Sequence, residues 1–145
     1  MRHVWYDRNV FVSKYIPDDV SIIDYGCGNK EILDFCTPTK YLGIDMCDNA
    51  DLKFNLDNEL VLDETFDLGL ALGLLEYVKD PNFTLSNIKK YARKVIVLTL
   101  AVKKKQEWLQ AFDEQQITSL MNSHFKNVQI YRHGSYILSI GETDD

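Results

Sequence analysis

The sequence predicts an α/β fold: one doubly wound, mostly parallel sheet that an antiparallel hairpin closes. Strand-like and helix-like segments alternate from about residue 20 to residue 125, which is typical of a parallel sheet with helices on its faces. The chain has 145 residues, the length of one domain. Two strand-like segments at its end flank a tight turn at His133 and Gly134. We therefore expect a single domain over residues 1–145, with an N-terminal helical or lid segment over 1–19, the core over 20–140 and a frayed tail over 141–145.

Composition and charge argue against several classes of protein. Hydrophobic residues make up 46% of the chain and charged residues 26%, which are ordinary globular values. The net charge of −6 argues against a dedicated nucleic-acid binder, whose affinity rests on basic contacts to phosphates. The longest apolar run, near residues 68–75, is too short to span a bilayer, and the charged start does not resemble a signal peptide. The three cysteines (Cys27, Cys36 and Cys47) lack metal-site spacing, so we expect reduced thiols, no metal and a cytoplasmic location.

The first half of the chain predicts three strands and one short helix. Residues 20–24 are apolar and β-branched and run into a glycine loop, which indicates the first strand. Residues 31–36 predict a short helix with Asn29 as its cap, and Pro38 ends it. Residues 41–45 predict the second strand, and the alternating residues 52–56 predict a third.

Residues 66–72 predict the central strand, because they are apolar on both faces. A helix follows, with Asp80 as its cap and Pro81 in its first turn, where the missing N–H of proline costs nothing. Its apolar face is predicted to hold Leu85, Ile88 and Ala92. Residues 95–100 then predict a fifth strand that is buried on both sides.

The last helix carries the clearest start signal in the chain. Asp113 and Gln116 have the spacing of a capping box, and Phe112 and Ile117 have that of a hydrophobic staple. Two closing strands are predicted over residues 128–132 and 136–140.

The first candidate site is the loop that follows the first strand. Gly26 and Gly28 let the backbone turn tightly and approach a ligand, and Asp24 precedes them. Asp45 ends the second strand, 19 residues after Gly26, where a carboxylate can accept both hydroxyls of a ribose. Each feature alone also fits an ordinary turn or a solvated acid. Their joint spacing favours a nucleoside site.

Charge separates two nucleoside cofactors. The dinucleotide fingerprint requires a third glycine where this chain has Glu31, and an acid there would repel a pyrophosphate. S-adenosylmethionine has no phosphate and carries a sulfonium and an ammonium. A pocket with Asp24 and Asp45 suits those positive charges, so the residues favour it over NAD.

With these motifs, residues 20–140 resemble the class I S-adenosylmethionine-dependent methyltransferases. The resemblance implies a Rossmann-like sheet of order 3-2-1-4-5-7-6 with S-adenosyl-L-methionine as the cofactor. It implies that the loop over residues 24–28, with Asp24, Gly26 and Gly28, holds the methionine end. It also implies that Asp45 binds the ribose and that Met46 lies against the adenine.

The resemblance also assigns contacts in the next strands. Asn55 and Leu56 match the adenine-edge position by their place in the chain, although the family usually has Asp where Asn55 stands. Residues 65–81 resemble the fourth-strand motif, in which the carbonyl near Leu72 faces the methionine. Lys30 stands where the family usually has a third glycine. It could pair with the cofactor carboxylate, but we expect it to point to solvent.

The acceptor side is less clear in the sequence. No residue has the signature of a general base; Tyr6, His3 and Glu76 are candidates by location only, and each also has an ordinary structural interpretation. The N-terminal segment, with Trp5, Arg8 and their neighbours, could form a lid over the pocket or pack on the sheet.

Three lysines follow the fifth strand, with Trp108 close behind; they are Lys103, Lys104 and Lys105. They could attract an anionic or sugar-linked small molecule, or simply form a solvated loop. A domain this short could also borrow a wall of its pocket from a second copy or a partner subunit.

We therefore expect a methyltransferase that transfers a methyl group by in-line displacement to a small-molecule or carbohydrate-like acceptor. The alternative is a methyltransferase-like module that binds cofactor weakly or not at all and serves as a partner subunit. An NAD-dependent enzyme is a third, less favoured interpretation.

Overall fold

The computed structural model describes residues 5–143. In chain order its main elements are α1 (Tyr6–Ser13), β1 (Ser21–Tyr25), β2 (Lys40–Asp45), β3 (Leu52–Lys53), β4 (Phe66–Leu72), α2 (Pro81–Ile88), β5 (Ala92–Leu100), α3 (Glu114–His124), β6 (Lys126–His133) and β7 (Tyr136–Glu142). Two short 3-10 helices, Glu31–Asp34 and Lys89–Tyr91, lie between them.

The seven strands form one sheet of order β3-β2-β1-β4-β5-β7-β6, which confirms the predicted order. Strands β1 to β5 pair in parallel, whereas β7 runs antiparallel between β5 and β6. Ile96 of β5 pairs with Ile140 of β7 at the centre of the antiparallel register. The fold is therefore the predicted α/β sheet closed by a hairpin.

Strand alternation places a hydrophobic core on each face of the sheet. Ile22 packs in the cluster that contains Phe11 and Val12 of α1. Its neighbour Ile23 packs in the opposite cluster, which contains Leu85 of α2. The strands are buried on both sides because helices cover both faces, and this is why their sequences are continuously apolar.

The two predicted helix starts are confirmed. The Asp80 carboxylate accepts hydrogen bonds from the N–H groups of Asn82 and Phe83, with Pro81 in the first turn. Asp113 and Gln116 form the reciprocal capping box of α3. Both helices begin where the sequence places an acceptor for their unpaired N–H groups.

The helix after β1 and the strand β3 are shorter than predicted. Asn29 is not the cap: Lys30 precedes the 3-10 helix without a side-chain cap, while Asn29 Oδ1 accepts from the Asn49 amide. Strand β3 ends at Lys53 because the Asn55 side chain accepts the N–H of Asp57 and turns the chain. Local side-chain hydrogen bonds therefore replace the predicted regular structure.

Helix α2 ends earlier than predicted, and β5 begins earlier. Ala92, which the spacing assigned to the helix, starts β5 and pairs with Phe66. The intervening Tyr91 is buried, and its hydroxyl donates to the carbonyl of Leu60 at 2.6 Å. This tertiary contact breaks the helix before its apolar pattern ends.

The closing hairpin is longer than predicted at its open end. Gly141 and Glu142, assigned to the frayed tail, continue β7 opposite Val95 and Lys94. A Cβ atom on Gly141 would lie 2.4 Å from Cβ of Phe125, so only glycine fits this close approach. Within residues 5–143, no helix combines the length and apolarity that crossing a bilayer requires.

Candidate functional site

A cavity of about 430 Å³ lies at the carboxyl ends of the parallel strands. Asp24 near the end of β1, Asp45 at the end of β2 and Leu72 at the end of β4 all line it. This is the crevice where open α/β sheets bind ligands, at the point where the strand order reverses. The volume lies within the range of small-molecule sites, roughly 300–1,000 Å³.

The glycine loop forms one wall of the cavity. Gly26 and Gly28 have positive φ angles of 77° and 52°, which glycine adopts without strain. The N–H groups of Gly26 and Cys27 both donate to the carbonyl of Ile44. The loop is therefore folded back onto β2, and a Cβ on Gly28 would meet nothing within 4 Å.

Asp45 fastens that loop to the second strand. Its Oδ2 accepts from the Gly28 N–H at 2.8 Å, and its Oδ1 accepts from the Met46 N–H at 2.7 Å. Each carboxylate oxygen keeps a further lone pair for a ligand hydroxyl. The two predicted acids thus lie in one cavity, as the spacing of the motifs suggested.

Asp24 is buried at the floor of the cavity, 3% exposed. Its Oδ2 accepts a hydrogen bond of 2.6 Å from the Tyr41 hydroxyl. Burial raises the pKa of the Asp24 carboxyl to about 6, although the Tyr41 hydrogen bond and the Arg8 charge act in the opposite direction. A cation that bound beside Asp24 would stabilise its ionised form.

Arg8 of α1 brings a half-buried cation to the same cavity. Its Nη1 donates to the carbonyl of Leu72 at 3.4 Å, and its guanidinium lies 4.7 Å from the ring centroid of Trp5. Burial lowers the pKa of Arg8, and the charge of Asp24 partly opposes this effect. The N-terminal helix packs on the sheet through Phe11, while Trp5 and Arg8 line the cavity. Whether this segment acts as a lid stays a prediction.

Lys30 has a different role from either that we considered. It adopts the left-handed conformation with φ of 60°, which explains why a glycine suits this position. Its ammonium forms an ion pair of 2.7 Å with Asp51, and it does not line the cavity. The expectation that it points freely to solvent is therefore wrong.

Three residues predicted to contact the adenine do not line the cavity. Met46 lies just outside it and is 57% exposed. Asn55 uses its amide oxygen to turn the chain, and Leu56 is buried in the core.

The opposite end of the cavity is lined by Glu76, Tyr77, Lys105 and Trp108. Glu76 is fully buried, and its Oε2 accepts from the Leu100 N–H at 3.0 Å. Within residues 5–143, neither Glu76 Oε1 nor Trp108 Nε1 has a hydrogen-bond partner. Burial raises the pKa of the Glu76 carboxyl.

Glu76 also anchors the loop that carries Trp108. Its carbonyl accepts from the Leu109 N–H at 2.8 Å. The Gln110 amide donates to the carbonyls of Leu75 and Val78. This part of the β5–α3 connection is therefore held against the segment that follows β4.

Of the two candidate bases that the structure describes, one lines the cavity. It is Glu76, whereas Tyr6 packs edge-on against Phe35 at 5.5 Å and lies outside. His3 falls outside the described residues. Of the three lysines after β5, only Lys105 lines the cavity.

The three cysteines (Cys27, Cys36 and Cys47) are free thiols. Cys27 and Cys47 line the cavity, and burial raises the pKa of the Cys27 thiol to about 12. Such a thiol remains protonated at neutral pH. No group of three or more potential ligand side chains comes together among residues 5–143.

Comparison with known proteins agrees with this geometry. A family model described as a methyltransferase domain matches residues 1–137. No curated protein sequence matches the chain. One solved structure with this fold is an S-adenosylmethionine-dependent methyltransferase from Thermotoga maritima, described as a possible histamine N-methyltransferase. It is 16% identical with a TM-score of 0.71, and the match covers 97% of this chain and 93% of that one.

Two further structures show the same fold. The N-methyltransferase NodS from Bradyrhizobium japonicum, in complex with S-adenosyl-L-homocysteine, is 12% identical with a TM-score of 0.70, covering 96% of this chain and 85% of its own. A chain from Haloferax volcanii, solved in a complex with the Trm112 methyltransferase activator, is 13% identical with a TM-score of 0.71. The match covers 97% of this chain and 92% of that one. Since the family model spans nearly the whole sequence, the chain belongs to the methyltransferase domain family and has the fold of the class I S-adenosylmethionine-dependent enzymes.

Proposed function

We propose that this protein is an S-adenosylmethionine-dependent methyltransferase that acts on a small-molecule acceptor. The observation that carries the proposal is the charge arrangement of the cavity. Asp24, Asp45 and Arg8 place two acids and one cation around a single crevice beside the glycine loop. A nucleoside with an ammonium, a sulfonium and a carboxylate complements that arrangement.

The residues present fit each part of the cofactor. Asp24 would hold the ammonium and Arg8 the carboxylate, since the buried Asp24 and the half-buried Arg8 line the same cavity as the glycine loop. Asp45 would accept the ribose hydroxyls, and the Leu72 carbonyl would face the methionine. The turn at Gly28 leaves room for close approach, because a Cβ atom there would meet nothing within 4 Å.

We propose that the adenine extends beyond the enclosed cavity. Met46 would lie against the ring, because its side chain is exposed just past Asp45. Asn55 and Leu56 would contact the adenine edge only through their backbone groups, since both side chains are already engaged.

The cofactor supplies a methyl group on a positively charged sulfur, which is already an activated leaving group. The chain therefore acts mainly by positioning, which can contribute several kcal/mol to lowering a barrier. The Leu72 carbonyl and Asp24 would orient the cationic parts, and Asp45 would orient the ribose. The buried floor at Asp24 and Leu72 excludes water from them.

A non-catalytic partner module is the second candidate. The Haloferax volcanii neighbour was solved with an activator subunit, and a second copy or a partner could likewise complete the pocket of this chain. Binding measurements separate the candidates, because a module without a cofactor site would bind none of the ligands.

The test is calorimetry with S-adenosylmethionine, S-adenosylhomocysteine and NAD. We expect the first two to bind and NAD not to bind, because a pyrophosphate would meet the acid Glu31, which lines the cavity. Binding of none of the three would refute the proposal and favour the partner module. Binding of NAD alone would favour a dehydrogenase.

The variant Asp45→Ala tests the ribose assignment. Loss of hydrogen bonds to a charged group should weaken S-adenosylhomocysteine binding by about 1–3 kcal/mol. Asp48→Ala is the matched control, because Asp48 is an exposed acid nearby that does not line the cavity. Equal affinities of the two variants would contradict the role of Asp45.

A further inference from the structure

We propose that the cavity end formed by Glu76, Tyr77 and Trp108 binds the methyl acceptor through an amino group, and that Glu76 takes a proton from that group. This inference rests on the proposed methyltransferase function and specifies the chemical class of its acceptor. The acceptor nitrogen would be part of a small molecule whose remaining groups reach the mouth of the cavity.

Glu76 is the first observation. It is fully buried, and one carboxylate oxygen is held by the Leu100 N–H while the other has no partner within residues 5–143. A buried polar atom without a partner costs about 1–3 kcal/mol, and more when it is charged. An N–H group delivered by a ligand would remove that cost, which makes Glu76 a ready acceptor site.

The aromatic side chains are a second, independent observation. Tyr77 and Trp108 pack edge-to-face with centroids 6.4 Å apart, and both line the cavity beside Glu76. The ammonium of Lys105 already lies 5.4 Å from the Trp108 ring centroid. The structure thus shows an alkylammonium within cation–π distance of this ring.

Burial also favours the proton transfer that an amine needs before it can react. An alkylammonium has no free lone pair, and desolvation lowers its pKa while raising that of a carboxyl. Burial raises the pKa of Glu76, whereas Lys105 partly opposes the shift. A buried ammonium–carboxylate pair is therefore driven towards a neutral amine and a neutral acid.

The step balances in atoms and charge. The ammonium gives one proton to Glu76, and the nitrogen lone pair then forms the new C–N bond while the methyl–sulfur bond breaks and its electron pair stays on sulfur. The positive charge moves from sulfur to nitrogen. Glu76 later returns its proton to solvent.

The same groups discriminate against other nucleophiles. A carboxylate nucleophile would meet the buried charge of Glu76 and be repelled. An alcohol would have to lose a proton that it holds far more tightly than an ammonium does. Lys105 is exposed at the mouth, so it can still pair with an anionic or sugar-linked part of the acceptor.

The experiment uses three matched probes: phenethylamine, 2-phenylethanol and 3-phenylpropionate. Each is titrated by calorimetry into the full chain saturated with S-adenosylhomocysteine. We expect the amine to bind at least tenfold more tightly than the other two. With S-adenosylmethionine, we expect formation of S-adenosylhomocysteine to be fastest with the amine.

Two variants identify the residues responsible. Glu76→Gln keeps an oxygen for the Leu100 N–H and should abolish the preference for the amine without weakening S-adenosylhomocysteine binding. Glu107→Gln is the control, because it removes one exposed negative charge near Trp108 without touching the cavity. Tyr77→Leu, at a side chain 48% exposed, should reduce amine affinity severalfold without affecting folding.

The outcomes separate the two proposals. If S-adenosylhomocysteine does not bind, the methyltransferase function itself fails, and this inference fails with it. If it binds but the amine binds no better than the alcohol or the carboxylate, only the amine inference is overturned. An amine preference that survives Glu76→Gln would likewise overturn it.

Discussion

Replacement of Asp24 by Asn tests whether the buried charge at the floor of the cavity opposes folding. Asn keeps an oxygen that can accept from the Tyr41 hydroxyl, which lies 2.6 Å from Asp24 Oδ2. It removes the negative charge that burial disfavours. The variant therefore isolates the electrostatic cost of Asp24 from its hydrogen bond.

The magnitude follows from the shift in pKa. Burial raises the pKa of Asp24 from 3.8 to about 6, a change of about two units, and each unit corresponds to about 1.4 kcal/mol. The folded state then binds more protons than the unfolded state between pH 4 and pH 6, so stability falls as the pH rises through this window. At pH 7.5 the ionised Asp24 should cost about 3 kcal/mol.

The assay is chemical denaturation of the wild type and Asp24→Asn at pH 4 and pH 7.5. We expect similar free energies of unfolding at pH 4 and a variant that is about 3 kcal/mol more stable at pH 7.5. Its affinity for S-adenosylhomocysteine should fall, because the ammonium loses its partner. A stability difference that does not change with pH would refute the reasoning.

Asp67→Asn is a control of opposite sign. Asp67 is exposed, and hydrogen bonds from the Ser21 N–H and hydroxyl lower its pKa. A carboxyl whose pKa is lowered by folding stabilises the folded state at pH values above its pKa in the unfolded state. That stabilisation is lost as the pH falls. The variant should therefore be no more stable than the wild type at pH 7.5.

Two predictions concern the fold. Gly141→Ala should destabilise the protein by about 1–3 kcal/mol, because the new Cβ would lie 2.4 Å from Cβ of Phe125. The midpoint of chemical denaturation measures this loss. An unchanged midpoint would show that β7 can shift away from Phe125. Asp113→Ala should cost about 1 kcal/mol, because helix α3 loses its capping box. Asp113→Asn keeps the acceptor and should cost little, so equal losses in the two Asp113 variants would argue against capping as the cause.

The elements that the sequence predicted well are those with local signals. Asp80 and Asp113 mark helix starts because a side-chain acceptor satisfies N–H groups two or three residues away. The central strands are recognisable because residues 66–72 and 95–100 are apolar on both faces. Where a distant contact intervenes, as at Tyr91 and Leu60, the predicted boundary is wrong.

The residues of the cavity likewise divide into those that local patterns predict and those that distant contacts place. The glycine loop and Asp45 were predictable, because each follows a strand and parallel strands bring their carboxyl ends to one edge. The sequence places Arg8 in a segment that could form a lid or pack on the sheet, and no local pattern indicates that it contacts Leu72, 64 residues away. The pairing of Lys30 with Asp51 was equally unpredictable, because both side chains are on loops.

The sequence by itself determined the alternating elements of the sheet and the two acids beside the glycine loop, because these depend on short-range patterns and on the geometry common to parallel sheets. The spatial order of the strands was implied by the family resemblance of those motifs. Only the tertiary structure decided what surrounds those acids. It brought Arg8 of the first helix against the end of β4, and it brought Trp108 of the β5–α3 loop beside the buried Glu76. Contacts between distant segments depend on how helices and loops pack on the sheet, and no spacing within one segment encodes them.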